Sequence, residues 1–253
     1  MSFYELGKEQ RNTLVEKINR EITDSIRHGK HNGLAPFFAD EDTYIRKTAY
    51  LAIGRIYSAN TKLQEKTIVL LDILADDTEP KVRQTAINAA GEIGKEDFNV
   101  VKHFFDKGLF DHHHSVRNAV IGSVKKMGEK NPVPVLDWAR TYLHHTDKEI
   151  RREICHGIEL RGRTHPEDIL PLLRELQFDK TRRVRDTLVH VIGQISYKKG
   201  CLEKVMQDII SWENTELITN AIDEIIDVHD RYRNFSFYTQ DEARKHIEQY
   251  KYR

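Results

Sequence analysis

Between residues 81 and 94 the chain reads KVRQTAINAAGEIG, and Val82, Ala86, Ala89 and Ile93 fall on one side of a helix. Polar side chains take the opposite side, and the Ala and Gly positions let a neighbouring helix come close. Just before it, LQEKTIVLLDIL (63–74) is greasier and predicts a more deeply buried helix. The same heavily apolar pattern returns in VPVLDWARTYL (133–143), EDILPLLREL (167–176) and CLEKVMQDII (201–210). Each is followed by a second, more polar helical stretch. A pair of this kind cannot bury its apolar faces alone and must stack on its neighbours.

The pairs recur at a fixed interval. A branched apolar residue stands at Ile45, Val82, Val116, Ile150, Val184 and Ile218, with separations of 37 and then 34 four times. Arg46, Arg83, Arg117, Arg151 and Arg185 follow it directly, and Thr219 breaks the series. Five residues ahead of it come Asp40, Asp77, Asp111, His145, Asp179 and Glu213. A constant period in this range marks stacked supersecondary units.

The acid, the apolar–Arg pair six residues on and the Ala- and Gly-rich spacing behind it resemble the HEAT repeat, notably its short bacterial type, over about residues 40–228. The resemblance implies an all-α fold, an α-solenoid or armadillo-type stack of about six helix pairs. It also implies that acid and Arg link adjacent units, as the forked guanidinium allows. Residues 1–39, with a charged helix over 8–29 and LAPFF behind it, read as an N-terminal cap; 40–230 hold the repeats. Residues 231–253 read as a C-terminal cap, with the aromatic run YRNFSFY (232–238) covering the last repeat and Thr239 and Glu242 at capping-box spacing. No linker divides the chain, so a single solenoid domain over 1–253 is expected.

Charge narrows the function. Lys plus Arg and Asp plus Glu number 40 each, so no global field draws in a polyanion, and nucleic acid would need a local patch. No apolar run approaches the roughly 18 residues that span a bilayer, and MSFYELGKEQRNTL lacks the pattern of a signal peptide. The two cysteines, Cys155 and Cys201, form neither a disulfide framework nor a metal spacing. A cytoplasmic protein without membrane contact is expected.

Three consecutive histidines, His112 to His114, occupy the turn between two helices of one repeat and are read as a solvated turn rather than a metal site. Trp138 shares its repeat position with Phe104, Leu172 and Met206, and Trp212 aligns with Phe110 and Phe178; both tryptophans are read as packing residues. The second helices are expected to line a concave face. One rung there reads Leu51, Asn88, Gly122, His156, His190, Glu224, and the next reads Gly54, Gly91, Lys125, Glu159, Gly193, Asp227. Lys125, Lys126, Arg152, His156, Glu159, Asp186 and His190 are therefore the candidate groove residues, with Gly91, Gly122 and Gly193 leaving room for a ligand. Arg182 and Arg183, in DKTRRVRD, are candidate phosphate contacts.

Residues 150–163 and 173–195 also resemble the central repeats of bacterial HEAT-like alkylpurine DNA glycosylases through Arg151, Arg152, Gly157, Arg161, Asp179 and Arg185. That resemblance implies DNA contact and DNA alkylation repair. Cys155–His156 stands where an acid is expected before the glycine, and no Trp is followed four residues on by Asp. No phosphate-cradling loop, nucleophile elbow or metalloprotease helix occurs. The leading expectation is a non-enzymatic scaffold that binds a protein partner, with no cofactor, no metal and no catalytic residue. A DNA-binding relative of the glycosylases is the alternative.

Overall fold

The computed structural model describes residues 3–250, which form helices joined by short turns, with no strand among the described residues. The outermost positions of the expected caps, 1–2 and 251–253, lie outside the described residues. The chain divides into two compact units between Asn131 and Pro132. Asn131 leaves the helical region (φ −133°, ψ 63°), as the following proline demands.

The first unit holds α1 (Lys8–His28), a short α2 (Ala35–Phe38), α3 (Thr43–Ala59), α4 (Gln64–Ala75), α5 (Pro80–Gly94), α6 (Phe98–Gly108) and α7 (His114–Lys130). Ile18, Ile22 and Ile26 of α1 are buried, as are Leu34 and Phe38 around α2, and both helices pack on α3. The second helices α3, α5 and α7 pack in succession, and the first helices α4 and α6 pack behind them. Leu70, Leu71, Leu74, Phe98, Phe104 and Phe105 fill the layer between the two rows.

The second unit holds α8 (Pro132–Arg140), α9 (Lys148–Gly157), α10 (Glu159–Gly162), α11 (Pro166–Arg174), α12 (Arg182–Gln194), α13 (Cys201–Ile209), α14 (Thr215–Arg231) and α15 (Gln240–Glu248). Here α12 lies between α9 and α14, and α11 packs on α13. Thr239 and Glu242 close a reciprocal capping box at the start of α15. The aromatic run before it behaves differently from expectation. Tyr232 stacks on Tyr197 and Tyr238 donates to Glu203 (2.6 Å), but Phe235 and Phe237 stay exposed.

The repeated acid and Arg build the same turn each time. The acid accepts the backbone N–H two residues on at Asp40, Asp77, Asp111 and Asp179, and the His145 ring does so in the fourth repeat. The Arg then donates back to that residue's carbonyl: Arg83 to Asp77 (2.9 Å), Arg117 to Asp111 (2.6 Å), Arg151 to His145 (2.7 Å) and Arg185 to Asp179 (2.5 Å), with Arg46 to Asp40 likewise. Two of these also reach the next repeat as forked pairs. Arg83 grips Asp111 (2.7 and 3.0 Å) and Arg151 grips Asp179 (2.5 and 3.0 Å). Where Thr219 ends the series, the Gln177 side chain takes over, accepting from the N–H groups of Glu213 and Asn214 and donating to Glu213.

Trp138 and Trp212 are both buried packing residues. The repeat equivalents Phe110 and Phe178 are not, being 53% and 64% exposed. Trp212 is held in by its indole N–H, which donates to Asp208 (2.7 Å), a bond that Phe cannot make.

Candidate functional site

The triple histidine is a turn only in part. His113 is the N-cap of α7, its ring nitrogen accepting from Ser115 N–H, and His114 is the first helical residue and stacks on it. His112 lies 3.2 Å from Arg83. The ordinary needs of a helix start account for His113 and His114.

Lys125 and Lys126 stand on α7 of the first unit, Lys125 half-buried and Lys126 exposed with its ammonium 5.8 Å from the Tyr50 ring centre. The remaining candidates belong to the second unit. Arg152 is half-buried rather than free, bonded to Glu149 (2.9 Å) and reaching Glu153 at 3.5 Å. Glu149 also pairs with Arg183 of the next helix at 3.2 Å. Arg182, 88% exposed, faces Asp186 one turn on at 3.6 Å. Arg152, Arg182 and Arg183 thus each stand beside an acid.

Glu159 departs furthest from expectation. It is 1% exposed, a buried carboxylate rather than part of an open groove. Its Oε1 is held by the Arg163 guanidinium (Nε at 2.9 Å, Nη2 closer), and Arg163 donates again to Gln194 (3.0 Å) and lies over the Tyr197 ring. Its Oε2 is 3.1 Å from His156 Nε2. The His156 ring meets His190 of the neighbouring helix edge to face, 6.2 Å between centres, and His190 Nδ1 is 3.4 Å from Glu224 of the helix after that. Arg231 pairs with Glu224 at 3.3 Å and with Asp227. A polar ladder therefore crosses α9, α12 and α14.

The rung order foresaw this ladder, since His156, His190 and Glu224 are each one repeat apart. It did not foresee what the glycines do. A Cβ at Gly91 would stand 2.5 Å from Ser123 Oγ, and one at Gly193 would stand 2.5 Å from Glu224 Cγ. Both glycines admit the next helix and leave no ligand space; Gly122 alone of the three faces open space. Burial, with the Glu159 charge adding to it, pushes the Cys155 thiol far up, so it is no nucleophile at neutral pH.

The family model described as Cnd1, non-SMC mitotic condensation complex subunit 1, matches residues 15–156, more than half of the chain. The chain belongs to the Cnd1 family. Beside this Cnd1 match, the beta-1 subunit of the AP-1 complex from Mus musculus and Homo sapiens is 25% identical over 150 residues. That stretch is 58% of this chain and only 14% of the length of those relatives. Among solved structures, crescerin, whose TOG domain array is described as regulating microtubules in the primary cilium, aligns with a TM-score of 0.49 and 17% identity, covering 77% of this chain and 88% of that one. Computationally designed armadillo repeat proteins for modular peptide recognition align at 0.31 and 17%, covering 74% and 94%. The chain is a HEAT-like helical repeat protein. No described helix is long and apolar enough to cross a membrane.

Proposed function

We propose that this chain is a non-catalytic subunit that binds a protein partner through the face lined by its second helices. The observation that carries the reading is the alternation of charge on that face. Arg152 and Arg183 share Glu149, Arg182 faces Asp186, and Arg231 faces Glu224 and Asp227. A surface of paired, mixed charge suits a partner with its own mixed charges and gives little grip on a uniform polyanion. Membership of a family named as a complex subunit supports the same reading, and two buried free thiols, Cys155 and Cys201, fit a reducing, cytoplasmic setting.

The test is affinity purification from cells that make the protein, with and without nuclease, using the wild type and the double variant Arg182→Asp, Asp186→Arg. The exchange keeps an ion pair on the helix but reverses its polarity on the surface. A nuclease-resistant partner that the double variant loses is the expected result. A partner retained by the double variant places binding on another surface. Material released by nuclease favours the DNA alternative.

A further inference from the structure

We propose that His156, Glu159 and His190 form a binding site for a divalent transition-metal ion of the zinc class. One donor atom from each of the three lies within 4.8 Å of the others. Imidazole nitrogen and carboxylate oxygen form a donor set that zinc accepts, with bonds of about 2.0–2.2 Å. Tetrahedral neighbours at such bond lengths stand roughly 3.4 Å apart. The His156 Nε2–Glu159 Oε2 separation of 3.1 Å is already of that size. The third donor, on the 42% exposed His190 ring, lies within 4.8 Å of the other two, so a modest turn of that ring would bring it in.

The repeat itself assembles the set. His156 and Glu159 are three residues apart and share a helix face, while His190 follows His156 by one period and so stands beside it on the adjacent helix. No linear metal motif results, because the spacing belongs to the stack and not to one helix. The surroundings are those of a metal site. Arg163 fixes Oε1 of Glu159 and leaves Oε2 turned toward the histidines, and Arg163 is itself held by Gln194. The Glu224 carboxylate lies 3.4 Å from His190 Nδ1, the arrangement in which an outer carboxylate orients a ligating imidazole. Such a partner leaves Nε2 of that ring for the ion. The buried Glu159 anchors the floor while the half-exposed His156 and His190 open the site to solvent. Three protein ligands leave a fourth position for water or for a side chain of a bound protein. This inference stands independently of the proposed partner.

The experiment is zinc titration of the full chain, stripped with chelator, by calorimetry at pH 7.5, with Co2+ absorption reporting the geometry. One ion per chain is expected, with a dissociation constant of micromolar order, a raised melting temperature and a tetrahedral Co2+ spectrum. Affinity should fall at least tenfold in His190→Asn, whose half-exposed position spares the fold, and in Glu159→Gln. The double variant His112→Asn, His114→Asn should bind as the wild type does. Absence of binding at about 100 μM zinc overturns the proposal, as does affinity that survives His190→Asn or disappears with the His112 and His114 replacements.

Discussion

Burial opposes the charge on Asp111 and Asp179. Hydrogen bonds from Arg83 and Arg151, from the N–H groups of His113 and Thr181, and the cationic charge nearby outweigh it and hold both carboxyls below their ordinary value of 3.8. A carboxyl lowered in the folded state stabilises the fold fully above its unfolded value, and that contribution is lost as pH falls through the folded value. Wild-type stability in urea should therefore drop as pH falls below about 4. The variant Asp179→Asn should begin less stable at pH 7 and lose less over that range. Equal losses would show that the repeat ion pairs are not the source. Burial also pushes the enclosed imidazole of His229 below 6.5, so its own acid-side loss starts at higher pH and separates from this one. Removing a cation is a sharper insult. Arg83→Met leaves Asp111 buried without its partner and should cost about 3–5 kcal/mol, part of which Asp111→Asn restores.

At the scale of the helix, two glycines of the first unit separate close packing from mere flexibility. Gly91 of α5 lies against Ser123 of α7, whereas a Cβ on Gly122 meets nothing within 4 Å. Gly122→Ala should stabilise by about 0.5–1 kcal/mol, the ordinary gain from Gly to Ala inside a helix. Gly91→Ala should instead destabilise by about 1–3 kcal/mol, because α7 must move away. Chemical denaturation of both variants decides it, and a gain at Gly91 would mean that α5 and α7 need not approach so closely. The periodic acid and Arg were legible in the sequence because their hydrogen bonds close within one turn, six residues apart. What Gly91 does depends on Ser123, about thirty residues away, which no local pattern reports.

Taken as a whole, the molecule is electrically balanced, with 40 basic and 40 acidic residues, and its surface repeats that balance in pairs. Each phosphate neutralised on DNA contributes about −0.9 to the slope of log affinity against log salt. Arg152 and Arg183 already share Glu149, so spending either on a phosphate means giving up that ion pair. Gel-shift titration should show no retention of duplex DNA at ~0.15 M salt, where non-specific binders that lack a basic patch are weak. Retention with a slope of about −3 or steeper would reinstate Lys125, Lys126, Arg182 and Arg183 as phosphate contacts.

By itself the sequence determined the helix pairs, their period, the turn that joins them and the burial of the first helices, since each follows from apolar spacing or from hydrogen bonds within a few residues. It also determined that His156, His190 and Glu224 share a rung, because the period alone puts them there. Only the tertiary structure decided which rung positions face solvent. Glu159 and Arg152 read as open-groove residues, yet one is sealed in by Arg163 and the other drawn down between two acids. Trp212 is drawn inside with the help of one hydrogen bond, while Phe110 and Phe178 at the same repeat position lie outside. The physical reason is the same in each case. A helical period says which way a side chain leaves its own helix, and the partner it meets belongs to the next one.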